Sequence, residues 1–140
     1  MGINANKQIV QPMVMKKTNI GNSFTREKLG IKKPEALHGF AEYDKNCFMF
    51  FTISNDKGNT EKGYYSDELH RDGVVFEPGG DNLLVKENEK VDIFGNVSIK
   101  DKTIHVFVRY SDKGGASFEY IGDAKGFVRY DQTRNKVLVL

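Results

Sequence analysis

Between residues 63 and 80 the chain reads Gly63-Tyr64-Tyr65-Ser66-Asp67-Glu68-Leu69-His70-Arg71-Asp72-Gly73-Val74-Val75-Phe76-Glu77-Pro78-Gly79-Gly80, which sets aromatic rings on either side of an acidic pair. Rings on both faces of a planar base supply stacking, and a carboxylate between them accepts hydrogen bonds from an exocyclic amine such as N4 of cytosine. The same residues also fit an ordinary β-hairpin, since Tyr-x-Asp before a short turn and a Val-Val-Phe run describes a half-buried strand pair. On these residues alone both readings stand.

Other reactive constellations are sparse. Asp123-Ala124-Lys125 is a (D/E)-x-K match, and with Asp112 upstream it outlines a small Mg²⁺-dependent nuclease. His38, His70 and His105 are isolated in sequence, and no His-x-x-x-His or Cys-x-x-Cys spacing offers a zinc site, so each histidine is read as structural or as a surface group. The glycine pairs at 79–80 and 114–115 read as turns rather than phosphate loops, and no Ser or Cys triad has a signature. The expectation is a chain that binds rather than reacts, without cofactor or metal.

The elements that must hold these residues follow from composition and pattern. At 140 residues the chain fits one domain with a single core, and its lone cysteine, Cys47, rules out an internal disulfide and reads as a small apolar core residue. No signal-type start and no apolar run of membrane length occur, which predicts a cytoplasmic protein that does not enter a membrane. The net charge of +2 hides segregation: residues 1–33 carry seven basic groups against one acidic, residues 34–92 six against thirteen, and residues 93–140 eight against five. Basic ends around an acidic middle suit contact with a polyanion, and equally a solvated surface with a basic arm.

Residues 1–22 read as a partly ordered basic arm, and residues 23–140 as the folded domain. Ser23 is expected to cap a short helix that ends at Gly30, with a possible further turn over 34–39. Beyond residue 40 the pattern is β: Cys47 to Ile53 and Thr103 to Tyr110 as central strands, Val74 to Phe76 after a turn at 71–73, a broken strand over 91–99, and three more strands at 117–122, 126–130 and 136–140. Many short strands without a long helical period predict a mostly β (α+β) barrel or sandwich.

In order, Gly63-Tyr64-Tyr65-Ser66-Asp67-Glu68, Asp72-Gly73-Val74-Val75-Phe76 with Gly79-Gly80, Ile104 to Arg109, and Phe118-Glu119-Tyr120-Ile121-Gly122 resemble the SRA (SET and RING-associated, or YDG) domain. The chain is closer still to the SRA-like domain of unknown function at the C-terminus of restriction enzymes fused to helicases or HNH nucleases. That likeness lies in Phe24-Thr25-Arg26-Glu27-Lys28-Leu29-Gly30, Phe48 to Ile53, Tyr65-Ser66-Asp67, Val106-Phe107-Val108-Arg109 and Tyr120-Ile121-Gly122, and it spans residues 23–140. The resemblance implies an SRA/PUA-like twisted pseudo-barrel with one or two short flanking helices. It implies a non-catalytic module that flips a modified base, a cytosine derivative, out of double-stranded DNA for a restriction or phage-defence system, with a nuclease or helicase as partner. An RNA-binding PUA-like module is the neighbouring alternative.

Carried over by position, Tyr65 stacks on one face of the base with Tyr64 beside it, Phe76 lies on the other, and Asp67 or Glu68 accepts hydrogen bonds from the base edge. Gly79 and Gly80 allow close approach of the backbone to DNA, while Lys16, Lys17, Arg26, Lys32, Lys33 and Arg109 contact phosphate. The closer relatives carry a Trp and a Ser-Gln where this chain has Phe76-Glu77-Pro78-Gly79, and this chain has no Trp.

Overall fold

The apolar run that starts at Cys47 is continuous rather than alternating, and a strand of that composition is stable where both of its faces are covered. The computed structural model describes residues 12–31, 39–53, 67–77, 93–94, 97–98, 101–111 and 117–139, with backbone only at 93–94 and 97–98. In chain order its strands are β1 (Ser23–Phe24), β2 (Phe40–Tyr43), β3 (Asn46–Thr52), β4 (Glu68–His70), β5 (Gly73–Phe76), β6 (Ile93–Phe94), β7 (Val97–Ser98), β8 (Thr103–Arg109), β9 (Phe118–Asp123), β10 (Gly126–Arg129) and β11 (Asn135–Leu138). A single-turn helix, α1 (Arg26–Leu29), lies between β1 and β2.

The fold is mostly β. One sheet has the order β1-β9-β8-β3-β2, the second β10-β11-β5-β4, and β6-β7 form a two-stranded ribbon. Strands β3 and β8 run parallel, with Asn46 opposite Thr103 and Thr52 opposite Arg109, and each is flanked by an antiparallel neighbour. Among the described residues the two sheets do not close into a barrel.

Alternation along the central strands sorts their side chains into two cores. Cys47, Met49, Phe51 and Ile53 of the β3 segment and Ile104, Val106 and Val108 of β8 face the second sheet, where they meet Val74, Phe76, Val137 and Val139. The opposite face carries Phe48, Phe50 and Phe107, covered by Met15, Leu29 and Ile31 from the N-terminal segment and helix. Here Phe107 is the hub. It is stacked on Phe50 with centroids 5.2 Å apart, tilted against Tyr120 at 5.4 Å, and edge-on to Phe24 at 6.5 Å.

One expectation changes at the N-terminus. Ser23 does not cap the helix, because Ser23 and Phe24 pair with Glu119 and Phe118 to bury Phe24, and the capping role moves to Thr25, whose side chain accepts from the Lys28 N–H. Gly30 ends the helix as expected, in the left-handed conformation at φ +85°. Within the arm, residues 12–22 are tied to the body. Met13 N–H donates to the Leu29 carbonyl, Gly21 N–H donates to that of Tyr120, and Tyr120 N–H returns a bond to Asn22. The turn expected over 34–39 falls largely outside the described residues.

Cys47 has no exposed surface, and burial pushes its thiol up to about 11. A thiol-specific disulfide reagent at pH 8 should therefore label the folded chain at least ~100-fold more slowly than the urea-unfolded chain, since so little thiolate is present. Equal rates would contradict the packing of β3.

Candidate functional site

Parallel neighbours deliver their C-terminal ends to the same edge of a sheet, and here β3 and β8 end together at Thr52 and Arg109. Both residues lie on the aromatic face of the sheet, and the Arg109 Nε–H donates to Thr52 Oγ at 2.8 Å. The Arg109 guanidinium then rests on the Phe118 ring, 4.6 Å from its centroid. Arg26, arriving from α1, places its guanidinium 4.8 Å from the same centroid and 5.5 Å from that of Phe50. Two residues 83 positions apart, each assigned from sequence to phosphate contact, thus share one ring.

Asp67 joins this end from the other side. It forms an isolated parallel bridge with Ile53, and its carboxylate accepts the backbone N–H of Thr52. Burial of the carboxyl pushes its pKa up to about 7, the Thr52 N–H opposes the shift, and the nearby charge of Glu77 adds to it. Thr52 therefore holds both groups, Arg109 through its hydroxyl and Asp67 through its amide.

The acidic pair divides between two environments. Glu68, next in sequence, is on the surface, where it pairs with Arg134 and lies 3.2 Å from His70 Nε2. The His70 contact leads the interactions that hold its carboxyl below the usual range. Of the two acids, Asp67 is thus the enclosed one and Glu68 the exposed one. Phe76 is 4% exposed, with its ring 5.1 Å from that of Phe51, so it is built into the core between the sheets. Tyr64, Tyr65, Gly79, Gly80, Lys32 and Lys33 lie outside the described residues. Lys16 and Lys17 are exposed at the short 3₁₀ turn that leads to the Gly21–Tyr120 bond.

A polar cluster that the sequence reading did not anticipate sits at the other end of β3 and β8. His105, 1% exposed, has Nδ1 2.6 Å from Asp123 Oδ1 and Nε2 3.1 Å from Asn46 Oδ1, while Tyr120 donates its hydroxyl to the same Asp123 oxygen at 2.7 Å. Burial and the Asp123 carboxylate both raise the Tyr120 phenol, keeping it protonated as a donor. The signal for it was present: alternation along β8 puts His105 on the same face as Phe107, where a buried imidazole needs partners. Asp123 is thus engaged in this network, Lys125 is exposed, and Asp112 lies outside the described residues. Among the described residues no group of three His, Cys, Asp or Glu side chains could hold a metal ion. No described helix is long and apolar enough to cross a membrane.

Comparison with known proteins gives one result at the level of family. No curated protein and no solved structure matches the chain. A family model does match, over residues 26–137, which takes in every strand from β2 to β10, all but the last residue of β11, and both arginines on Phe118. The chain belongs to the family described as domain of unknown function DUF3427.

Proposed function

We propose that this chain is a DNA-reading module that recognises a modified base, a cytosine derivative, by taking it out of the duplex, and that Asp67 reads the base edge. The observation that carries the reading is Asp67 itself: a half-buried carboxyl pushed up to about 7, fixed by the Thr52 amide at the strand ends that also carry Arg109. A group so perturbed costs stability, and such groups concentrate where a protein binds or reacts. The chemistry also fits. A protonated carboxyl offers one donor and one acceptor, which complement N3 and the N4 amine of cytosine and leave the C5 position, where modification occurs, pointing elsewhere. Unstacking the base costs a few kcal/mol, which stacking contacts of ~1–3 kcal/mol each offset. Tyr65 is the proposed stacking ring.

The order of motifs shared with SRA-like domains and the basic ends of the sequence support the same reading, with a nuclease or helicase as the partner that acts on the recognised site. The test is binding to matched duplexes carrying unmodified, 5-methyl- or 5-hydroxymethylcytosine at one central position. A preference for one modified duplex, weakened by rising salt, is expected. Equal affinity for all three ends the base-reading proposal, and stronger binding to structured or single-stranded RNA replaces it with an RNA module.

A further inference from the structure

We propose that Arg109 is a positioning residue for Asp67: through Thr52 and Ile53 it fixes where the carboxyl meets the base edge, and so governs which base is preferred. This rests on the base-reading proposal and names the residues that keep its carboxyl in place.

Two attachments hold Asp67, and each has a counterpart on Arg109. On one side, Asp67 forms a backbone bridge with Ile53, and its carboxylate accepts the Thr52 N–H. On the other, the Ile53 N–H donates to the Arg109 carbonyl at 2.8 Å, and the Arg109 Nε–H donates to Thr52 Oγ at 2.8 Å. Residues 52 and 53 are thus gripped by the backbone and side chain of one arginine, and they grip the backbone and side chain of one aspartate.

The end of β3 depends on this support. Strand β2 pairs with β3 as far as Met49, and the Phe50 N–H still reaches the Gly39 carbonyl at 2.8 Å. Alternate amides along a strand point to the same edge, so the Thr52 N–H follows that of Phe50, and among the described residues its acceptor is the Asp67 carboxylate. The place of that carboxylate is therefore only as well fixed as Thr52 is. Arg109 fixes it in a way that a lysine would not. Its Nε–H lies in the guanidinium plane, which rests on the Phe118 ring, 4.6 Å from the centroid. Phe118 is itself 1% exposed and packs edge-on to Phe50 at 4.9 Å. A lysine keeps the charge but has neither a planar fork to stack nor a donor at that point of its stem. Recognition by hydrogen bonds tolerates a misplacement of roughly 0.5 Å, so loosening Thr52 should cost discrimination.

The test uses the whole chain and matched duplexes with one central 5-methyl-, 5-hydroxymethyl- or unmodified cytosine. Thr52→Val removes the acceptor, while Arg109→Gln and Arg109→Lys each remove the Nε–H. Each should lower the preference for the modified duplex by about tenfold, and Thr52→Val combined with Arg109→Lys should lower it no further, because both break one bond. Thr52→Ser, which restores the acceptor, should recover most of what Thr52→Val loses. By carbon-13 NMR of the free variants, the Asp67 carboxyl should titrate closer to the usual Asp range than in the parent, because water reaches it. Contact with phosphate predicts another pattern: Arg109→Gln would weaken all three duplexes alike and lower the salt slope by about one, and Arg109→Lys would regain much of the loss. That pattern overturns the positioning role while the base reading stands, and so do a preference and an Asp67 titration that Thr52→Val and Arg109→Lys leave at parental values. In the unaltered chain, where no variant has to fold, the Thr52 amide proton should shift with the midpoint of Asp67, and an amide that ignores it overturns the role as well. Equal binding of all three duplexes by the unaltered chain overturns the base reading itself, and the positioning role with it.

Discussion

At pH 8 an Asp67→Asn variant should be more stable than the parent chain by about 2–4 kcal/mol, with the difference closing as the pH falls to 4. An unfolded Asp titrates near 3.9, whereas in the fold this carboxyl is held at about 7, first by burial and then by Glu77. Between those values the native state binds more protons than the unfolded one, so this group's contribution is fully present below pH 4, declines as pH rises through 7, and is flat above that. Raising the carboxyl from that value to about 7 corresponds to roughly 4 kcal/mol at full strength, and partial solvent access brings this down towards about 2 kcal/mol. Asn keeps an oxygen for the Thr52 amide and removes the titration. Urea denaturation of both proteins at pH 4, 6 and 8 checks this, and a variant less stable than the parent at pH 8 would contradict the burial of Asp67. Against a typical total of 5–15 kcal/mol for a domain, such a cost is what a protein retains for function rather than for folding.

The same titration gives the binding its pH dependence. If the acid form meets N3 and N4 of cytosine, affinity for the preferred modified duplex should fall by roughly tenfold from pH 6 to pH 8, in step with the protonated fraction. Asn presents the same donor and acceptor as the protonated acid, so Asp67→Asn should bind without pH dependence, and Asp67→Ala should lose the preference for the modified base. Fluorescence anisotropy at the two pH values separates these outcomes. Loss of the preference in Asp67→Asn as complete as in Asp67→Ala would exclude the protonated reading.

Gly73→Ala should cost at least about 4 kcal/mol, the range associated with forced strain and a broken network, whereas Gly122→Ala should cost about 1–2 kcal/mol. Both glycines have positive φ, +159° and +130°. They differ in what a methyl group would meet. At Gly73 an added Cβ falls 1.9 Å from the Val137 carbonyl oxygen and 3.1 Å from the Leu138 Cα, so β11 must move away from β5. At Gly122 the nearest atom is 3.5 Å away, and only the backbone conformation is strained. Because Gly73 also stands opposite His70 of β4, separation there would loosen the strand that follows Asp67. Urea titrations followed by far-ultraviolet circular dichroism should rank the two variants in this order, and equal losses would contradict the close approach of β11 to β5.

Most strands were legible because their cause is local. Cys47 to Ile53 and Thr103 to Tyr110 are rich in β-branched and aromatic residues, and they became β3 and β8 within a residue of the expected bounds. Gly30 was legible as a helix stop for the same reason, since its φ of +85° suits glycine. Ser23 misled because a good cap residue is also free to pair in a sheet, and burial of Phe24 against β9 outweighed the cap.

What depends on distant partners could not be read in this way. Alternation alone places Asp67 and Glu68 on opposite faces, but which face is buried depends on the bridge to Ile53 and the pairing of β4 with β5. A ring in Val74-Val75-Phe76 looks the same whether it will line a pocket or pack on Phe51, and the contact with Phe51 was settled by the packing of one sheet on the other. The parallel pairing of β3 with β8 joins residues 57 apart and brings Arg109 to Thr52, while β9 carries Phe118 beneath both Arg109 and Arg26. By itself the sequence determined a mostly β domain and its principal strands. Tertiary structure alone decided that Asp67 would be half-buried while Glu68 stays exposed, and that two arginines would meet at one ring, because burial and convergence are set by long-range register that no local pattern encodes.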